Sequence, residues 1–190
     1  MKYSDWQLQG QALIASPEEA FERMRAIRHI MPMRSILTSG GYDPVHPGHI
    51  TCAMEARARC TQELLDETFA HATLIVVVNG DGFLKKKKGR AFMPLKVRCQ
   101  IMSAFYGVNI VVPFVPSDPN DMTVCEALKL IQPDVFAKGG DRTGIENIPE
   151  WDTCLEYGIQ VVTNCGDDKH WSSSNFLGDY AAWAREVENA

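Results

Sequence analysis

The sequence predicts an α/β fold: a doubly wound parallel sheet of five strands with helices on both faces, preceded by a helical extension over residues 1–33. Three observations carry that reading. Five short runs rich in β-branched residues alternate with helical patterns, as in a parallel sheet covered on both sides. Four of the five runs lead straight into turns of glycine and aspartate: Gly40-Gly41-Tyr42-Asp43, Asn79-Gly80-Asp81-Gly82, Lys138-Gly139-Gly140-Asp141 and Cys165-Gly166-Asp167-Asp168. In an open parallel sheet such strand ends lie along one edge, and ligands bind there, near the point where strand order reverses. Finally, 190 residues, 45% of them apolar, suffice for one good core and fall short of two large domains.

The elements follow in order. Ser16-Pro17-Glu18-Glu19 is a capping box with proline at the first helical position, and Ala20, Phe21, Met24 and Ile27 continue at helical spacing until Pro32 ends the helix. Residues 34–190 then form the main domain. Strands are expected at Ser35–Thr38, Thr73–Val78, Asn109–Val112, Asp134–Ala137 and Ile159–Thr163. Between them, helices are expected from His49 to Leu65, from Pro94 to Tyr106, and from Thr123 to Ile131, the last opening with a Thr123-x-x-Glu126 capping box. The run Lys85-Lys86-Lys87-Lys88-Gly89-Arg90 reads as a loop, and a last helix should pass through Tyr180, Trp183 and Val187.

A net charge of -5 argues against a general binder of nucleic acid or of membrane surfaces, so neither is an expected partner. The six cysteines are scattered without a CxxC pair, which fits reduced thiols in the cytoplasm better than a disulfide framework or a zinc ribbon. The first residues, MKYSDWQLQG, lack the apolar core of a signal peptide, and no run approaches the length of a membrane span. A cytoplasmic protein is expected.

The chemistry concentrates in Gly40-Gly41-Tyr42-Asp43-Pro44-Val45-His46-Pro47-Gly48-His49, which runs from a strand end through a turn into a helix. Glycines let a phosphate chain approach the backbone, and the helix that follows presents free N–H groups and the positive end of its dipole to an anion. Two histidines three residues apart at the helix start can both donate hydrogen bonds to a phosphoryl group whose charge changes in the transition state. Zinc is disfavoured: His46, His49 and Cys52 share a spacing of three but lack a fourth ligand, and no protein-held metal is expected. The lysine run, near a phosphate pocket in an acidic protein, suits neutralisation of a pyrophosphate leaving group. Ser172, Ser173 and Ser174 either cap the last helix or offer hydroxyl and N–H groups to phosphate oxygens.

Taken together and in this order, these segments resemble the cytidylyltransferase-like nucleotidyltransferase superfamily, marked by a G-x-F-D-x-x-H-x-G-H element after the first strand. Tyr42 stands where that element has phenylalanine. The likeness is greatest to the adenylyltransferase domain of the bifunctional heptose-phosphate enzymes. Val78-Asn79-Gly80-Asp81 with Lys85 to Gly89 is similar to that family's V-N-S-D segment and lysine loop, Lys138-Gly139-Gly140-Asp141 to its K-G-G-D motif, and Ser172-Ser173-Ser174-Asn175 to its S-T-T-N motif.

The resemblance covers about Arg34 to Leu177 and implies a Rossmann-like fold. Its chemistry would be attack by a substrate phosphate on the α-phosphorus of a nucleoside triphosphate, ATP or CTP, with release of pyrophosphate. His46 and His49 would stabilise the transition state, Lys85 or Lys88 would hold the substrate phosphate and the α-phosphate, and Ser173 and Ser174 the β and γ phosphates. Gly40, Gly41, Tyr42 and Gly48 would shape the phosphate pocket, and Gly139, Gly140 and Asp141 would line the nucleoside. Asp43, Asp81, Lys138 and Arg98 would face the substrate, Arg98 as a phosphate or structural contact. Mg2+ would arrive with the triphosphate, the acceptor would be a phosphorylated small molecule such as a sugar phosphate, and a homodimer is expected. Arg142-Thr143-Gly144 replaces the aromatic residue often found after K-G-G-D, which leaves the acceptor open.

Two other readings compete. One keeps the fold but uses CTP with glycerol phosphate or another alcohol phosphate. The other is a silent nucleotide- or RNA-binding module built on the lysine run, for which the histidine pair would have no use. A full aminoacyl-tRNA synthetase, which shares the histidine-glycine-histidine element, is excluded by chain length.

Overall fold

The computed structural model describes residues 2–65, 71–139, 147–166 and 172–188. Its sheet consists of six parallel strands: β1 (Leu13–Ile14), β2 (Met33–Gly40), β3 (His71–Asn79), β4 (Ile110–Phe114), β5 (Val135–Gly139) and β6 (Gln160–Cys165), in the order β1-β4-β3-β2-β5-β6. The helices are α1 (Pro17–Arg28), α2 (Pro47–Leu65), α3 (Asp81–Lys88), α4 (Leu95–Ser103), α5 (Cys125–Ile131), α6 (Trp151–Glu156) and α7 (Ser173–Glu188).

The sheet is covered on both faces, and β3 shows why its sequence is a continuous apolar run. Leu74, Val76 and Val78 point into one core with Ala53 and Ala56 of α2 and Cys99 and Met102 of α4. Ile75 and Val77, one position out of phase, point into the other with Ala20 and Met24 of α1 and Leu128 and Ile131 of α5. Both layers are buried, so each face of β3 is closed to solvent and no alternation of polar residues survives in the middle of the sheet.

All five expected strands are present, and a sixth corrects the count. Leu13 and Ile14 pair with Ile110 and Val111 at the edge. Two residues are too few to show a period, and what holds them is tertiary. The Gln7 side chain accepts from the Ile14 N–H and donates to the Ala12 carbonyl, both at 2.8 Å, while Ala15 N–H donates to Val111 O. The segment before residue 34 is therefore not purely helical.

Helix α1 forms its capping box in full: Ser16 Oγ accepts from Glu19 N–H, and the Glu19 carboxylate accepts from Ser16 N–H. The box expected at Thr123 does not form. Thr123 Oγ1 accepts from Cys125 N–H, but Glu126 turns to the N–H and hydroxyl of Ser117, a loop residue that sequence spacing does not reveal. The lysine run is likewise helical rather than a loop. Its four ammonium groups occupy the last turn of α3, where the helix dipole favours cations, and Gly89 ends the helix in the left-handed conformation at φ 82°.

Strand order fixes where a ligand can sit. From β2 the chain winds outward through β3 and β4, then returns to lay β5 and β6 on the other side of β2. The strand order therefore reverses between β2 and β5, and a crevice opens at their carboxyl ends, beside Gly40–Asp43.

Candidate active site

The turn after β2 is built around the head of α2. His46 immediately precedes the helix, Pro47 takes the first position, where its missing N–H costs nothing, and His49 reaches back so that its Nδ1 accepts the His46 backbone N–H at 3.3 Å. This is the return half of a capping box, with imidazole in place of glutamate. The two rings lie 3.8 Å apart between centroids at 32°, and Tyr42 lies 4.9 Å from His49 on its other side. Gly48 makes the fold of the turn possible: a Cβ there would meet the His46 ring at 3.2 Å.

Burial, followed by the proximity of His46, Lys88 and Lys87, pushes His49 down from 6.5 to about 3. It is neutral at physiological pH, and with Nδ1 accepting, the proton sits on Nε2. Between pH 3 and 6.5 the unfolded chain binds a proton at His49 that the folded chain does not, so this site makes stability rise with pH across that window. Urea melts at several pH values should show the slope for wild type and a shallower one for His49→Gln.

Beneath the histidines lies a rigid scaffold, and here the expected substrate contacts are corrected. Asp43 is fully buried, its carboxylate accepting from Phe92 and Met93 N–H at 2.7 Å each. Arg98 is 0% exposed; it donates to the carbonyls of Met93, Gly41 and Asn79 and pairs with Asp81 at 2.6 Å. With four N–H bonds committed and no exposed surface, it ties the ends of β2 and β3 to α3 and α4 rather than meeting a phosphate. Asp81 is its partner, and Asp43 serves the loop behind the lysines. Gly41 sits so close that a Cβ would lie 2.7 Å from Leu84, and one at Gly40 would meet the buried Tyr42 ring at 3.1 Å.

Of the lysines, Lys88 belongs to the site. Its Nζ donates to Asp43 O at 3.1 Å, and partial burial lowers its pKa, with Lys87 and Arg98 adding to the effect of desolvation against the pull of Asp43. Lys87, which the motif did not single out, lies over the Phe83 ring and contributes to the field at His49. Lys86 is turned away onto Pro119 O and Asn120 Oδ1, and Lys85 is exposed at the surface of α3.

From the other direction, α7 brings its head to the same turn. Ser172 Oγ caps it by accepting from Asn175 N–H, and buried Ser173 donates to Pro44 O at 2.9 Å. Ser174 is exposed, and Phe176 lies 6.5 Å from the His46 ring, a neighbour that the serine motif did not single out. His46, His49, Lys88, Ser173 and Phe176 thus meet at the carboxyl edge of β2, although more than a hundred positions separate the first from the last.

On the β5 side, Lys138 does not point freely at a substrate. Its ammonium pairs with the buried Glu150 carboxylate at 3.1 Å and lies over Phe136. Gly139 faces the α2 side, where a Cβ would lie 3.7 Å from Cys52 Sγ. Gly140 and Asp141, expected at the nucleoside, lie outside the described residues, as do Asp167, Asp168 and Trp171. Gly166, at φ +90°, presses on α2: a Cβ would come within 2.6 Å of Cys52 N. Its N–H donates to Glu55 at 2.6 Å, while Arg59, paired with Glu55, donates to Thr163 O and Asn164 O. Gly166→Ala is expected to cost about 1–2 kcal/mol from backbone conformation alone, and more from the contact, read as a lowered urea midpoint.

Comparison with known proteins agrees with this geometry. Residues 37–174 match the family described as cytidylyltransferase-like, a stretch that runs from β2 to the head of α7. The chain is similar to "Bifunctional protein HldE" of Methylococcus capsulatus, 37% identical over 130 residues, covering 67% of this chain and 24% of that protein. It is also similar to the protein of that name from Caulobacter vibrioides, 32% identical over 127 residues, covering 66% and 23%. The chain thus spans about a quarter of the length of these relatives. Among solved structures, the lipopolysaccharide core biosynthesis protein from Thermoplasma volcanium superposes with a TM-score of 0.54 at 17% identity, over 71% of this chain and 98% of that one, a likeness of fold. With a match over residues 37–174 that contains the histidine pair and the crevice around it, this chain belongs to the cytidylyltransferase-like family of nucleotidyltransferases.

Proposed function

We propose that the chain transfers an NMP unit from a nucleoside triphosphate, ATP in the first instance, to a sugar phosphate in the cytoplasm. An oxygen of the acceptor phosphate bonds to the α-phosphorus, the bond from that phosphorus to the bridging oxygen breaks, and pyrophosphate leaves with the electron pair. The observation that carries this reading is the stacked His46–His49 pair at the head of α2, 3.8 Å between centroids, on the crevice where strand order reverses. Silent nucleotide binding has no use for such a pair, whereas a transition state with growing negative charge does.

Each group then has a task. Neutral His49 donates from Nε2 to a non-bridging oxygen of the α-phosphate, and its Nδ1 bond to the backbone keeps the ring from turning. His46 donates beside it. Lys88, held against Asp43 O, supplies positive charge where acceptor and α-phosphate meet, and Lys85 is free to approach from the surface of α3. The head of α7, seated on Pro44 O by the Ser173 hydroxyl, offers its N–H groups and the exposed Ser174 hydroxyl to the β and γ phosphates. Gly139 borders the nucleoside side. Magnesium enters with the triphosphate as part of the substrate and screens its charge.

ATP as donor and a sugar phosphate as acceptor rest on the likeness of four motifs to the heptose-phosphate adenylyltransferase domain. Pyrophosphate release measured with ATP and with CTP, each against a panel of sugar and alcohol phosphates, tests both. Turnover with ATP and a sugar phosphate is the expected result. Turnover confined to CTP with an alcohol phosphate overturns the choice of substrates, and none with any pair overturns the transferase reading itself.

A further inference from the structure

The far half of α2 borders a cavity of about 520 Å³ that the proposed reaction does not use. Met54, Arg57 and Ala58 of α2 line one side and the Tyr106-Gly107 turn another, while Leu74 of β3, only 1% exposed, borders it from the sheet. Leu74 lies in the first half of its strand and Gly107 just before β4, so the cavity sits towards the amino edge of the sheet. His46 and His49 stand at the carboxyl edge, and Arg57 follows His49 by eight positions, about 12 Å along the helix. A nucleotide in the crevice and a ligand in the cavity therefore do not exclude one another.

Arg57 gives the cavity its character, being the only charged side chain among the described residues that line it. Half-buried, it donates from Nη1 to Gly107 O and makes no other hydrogen bond among the described residues. The contact depends on the turn: Gly107 bends the chain at φ +88°, and a Cβ there would lie 2.9 Å from Arg57 Nη1. Arg28, Arg59 and Arg98 each have a carboxylate partner, Asp134, Glu55 and Asp81 respectively. Arg57 has none among the described residues, so its charge is uncompensated beside apolar surface. Met54 and Tyr106, at 56% and 95% exposed, extend that surface to the mouth.

We infer that this cavity binds a small molecule with an apolar body and one anionic group, such as an aryl carboxylate or sulfonate. The anion meets the N–H groups of Arg57 that Gly107 does not engage, and the body lies against Met54, Leu74 and Tyr106. Sites for small ligands run from roughly 300 to 1,000 Å³, are mostly apolar and carry a few polar groups that fix orientation, which describes this one. A guanidinium fork matches a planar or tetrahedral anion through two parallel hydrogen bonds. A single cation in a chain of net charge -5 is the wrong provision for a polyanion or an anionic membrane, which need an array of them. The lysine run that suits a polyphosphate follows β3, at the other edge of the sheet.

Anilinonaphthalene sulfonate has this make-up, and phenylnaphthylamine is the same body without the sulfonate. Fluorescence titration of the full chain with each dye is expected to show one saturable site, with the sulfonate bound about tenfold more tightly or better. Arg57→Met should abolish that preference and leave the neutral dye in place, while Arg57→Lys keeps part of it. Ala58→Trp, which fills the cavity from an exposed helix position, should remove both dyes with the far-ultraviolet spectrum retained. Lys87→Ala combined with Lys88→Ala should change neither, and ATP should displace neither. Equal affinity for the two dyes in wild type overturns the inference, as does the absence of a saturable site. So does sulfonate binding that survives Ala58→Trp, or that is lost to ATP or to the lysine variant, since the dye is then elsewhere. Should Arg57→Met fail to fold, Arg57→Lys and Ala58→Trp still decide the matter. None of these readouts involves turnover, so the transferase reading stands or falls separately.

Discussion

Replacing His49 with alanine is expected to lower turnover by roughly 100-fold or more while nucleotide binding survives, because the donor it removes acts where charge grows in the transition state. His49→Gln sharpens the experiment. Glutamine at this position can still reach back to the His46 N–H, as in an ordinary capping box, so it restores the helix head while losing the imidazole Nε2–H. If the role of His49 is chemical, both variants lose the rate and only alanine also loses stability. If the role is capping alone, glutamine rescues pyrophosphate release. His46→Ala should behave like His49→Ala in rate, with steady-state pyrophosphate release at saturating nucleotide as the measurement.

Arg98→Met is the second large effect, and it falls on stability. The guanidinium is fully buried and satisfies the carbonyls of Gly41, Asn79 and Met93 together with the Asp81 carboxylate. Removing one partner from a buried pair typically costs about 3–5 kcal/mol, because the other groups remain desolvated and unpaired. For a chain of this size that is a fall in Tm of roughly 10 °C or more, measured by calorimetry. Arg98→Lys should rescue little, since one ammonium cannot span four acceptors set around a planar fork. Asp81→Asn should cost less, because Asp81 remains 40% exposed and water replaces part of the lost charge. A substitution at Arg98 that spares Tm but abolishes nucleotide binding would return this residue to the phosphates.

Several features were legible from residues alone because their causes are local. The apolar runs of β2 to β6, the Ser16 capping box, and the glycine-histidine turn that heads α2 all lie within a few positions of what determines them. Others were not. The Thr123-x-x-Glu126 pattern fits a capping box, yet Glu126 finds a better pair of donors on Ser117, nine positions away along a loop. Lys138 sits in a motif, and its partner Glu150 is supplied by a segment that no pattern tied to it. The contacts of Phe176 with His46 and of Lys87 with the field of His49 depend on how α7 and α3 are oriented, which spacing does not encode.

By itself the sequence determined the period of each main element, the turn chemistry at the strand ends and the two imidazoles, since these follow from neighbours within one or two turns of chain. Only the tertiary structure decided which charged residues are free to meet a phosphate. Arg98 and Asp43 carry the same charges as surface groups would, but packing at the ends of β2 and β3 removes them from water and commits their hydrogen bonds to backbone groups and, for Arg98, to the Asp81 carboxylate as well. Lys88, one helical turn from exposed Lys85, is half withdrawn beside Asp43 and faces the histidines. Burial and direction are properties of the assembled sheet and its helices, and they separate scaffold from site.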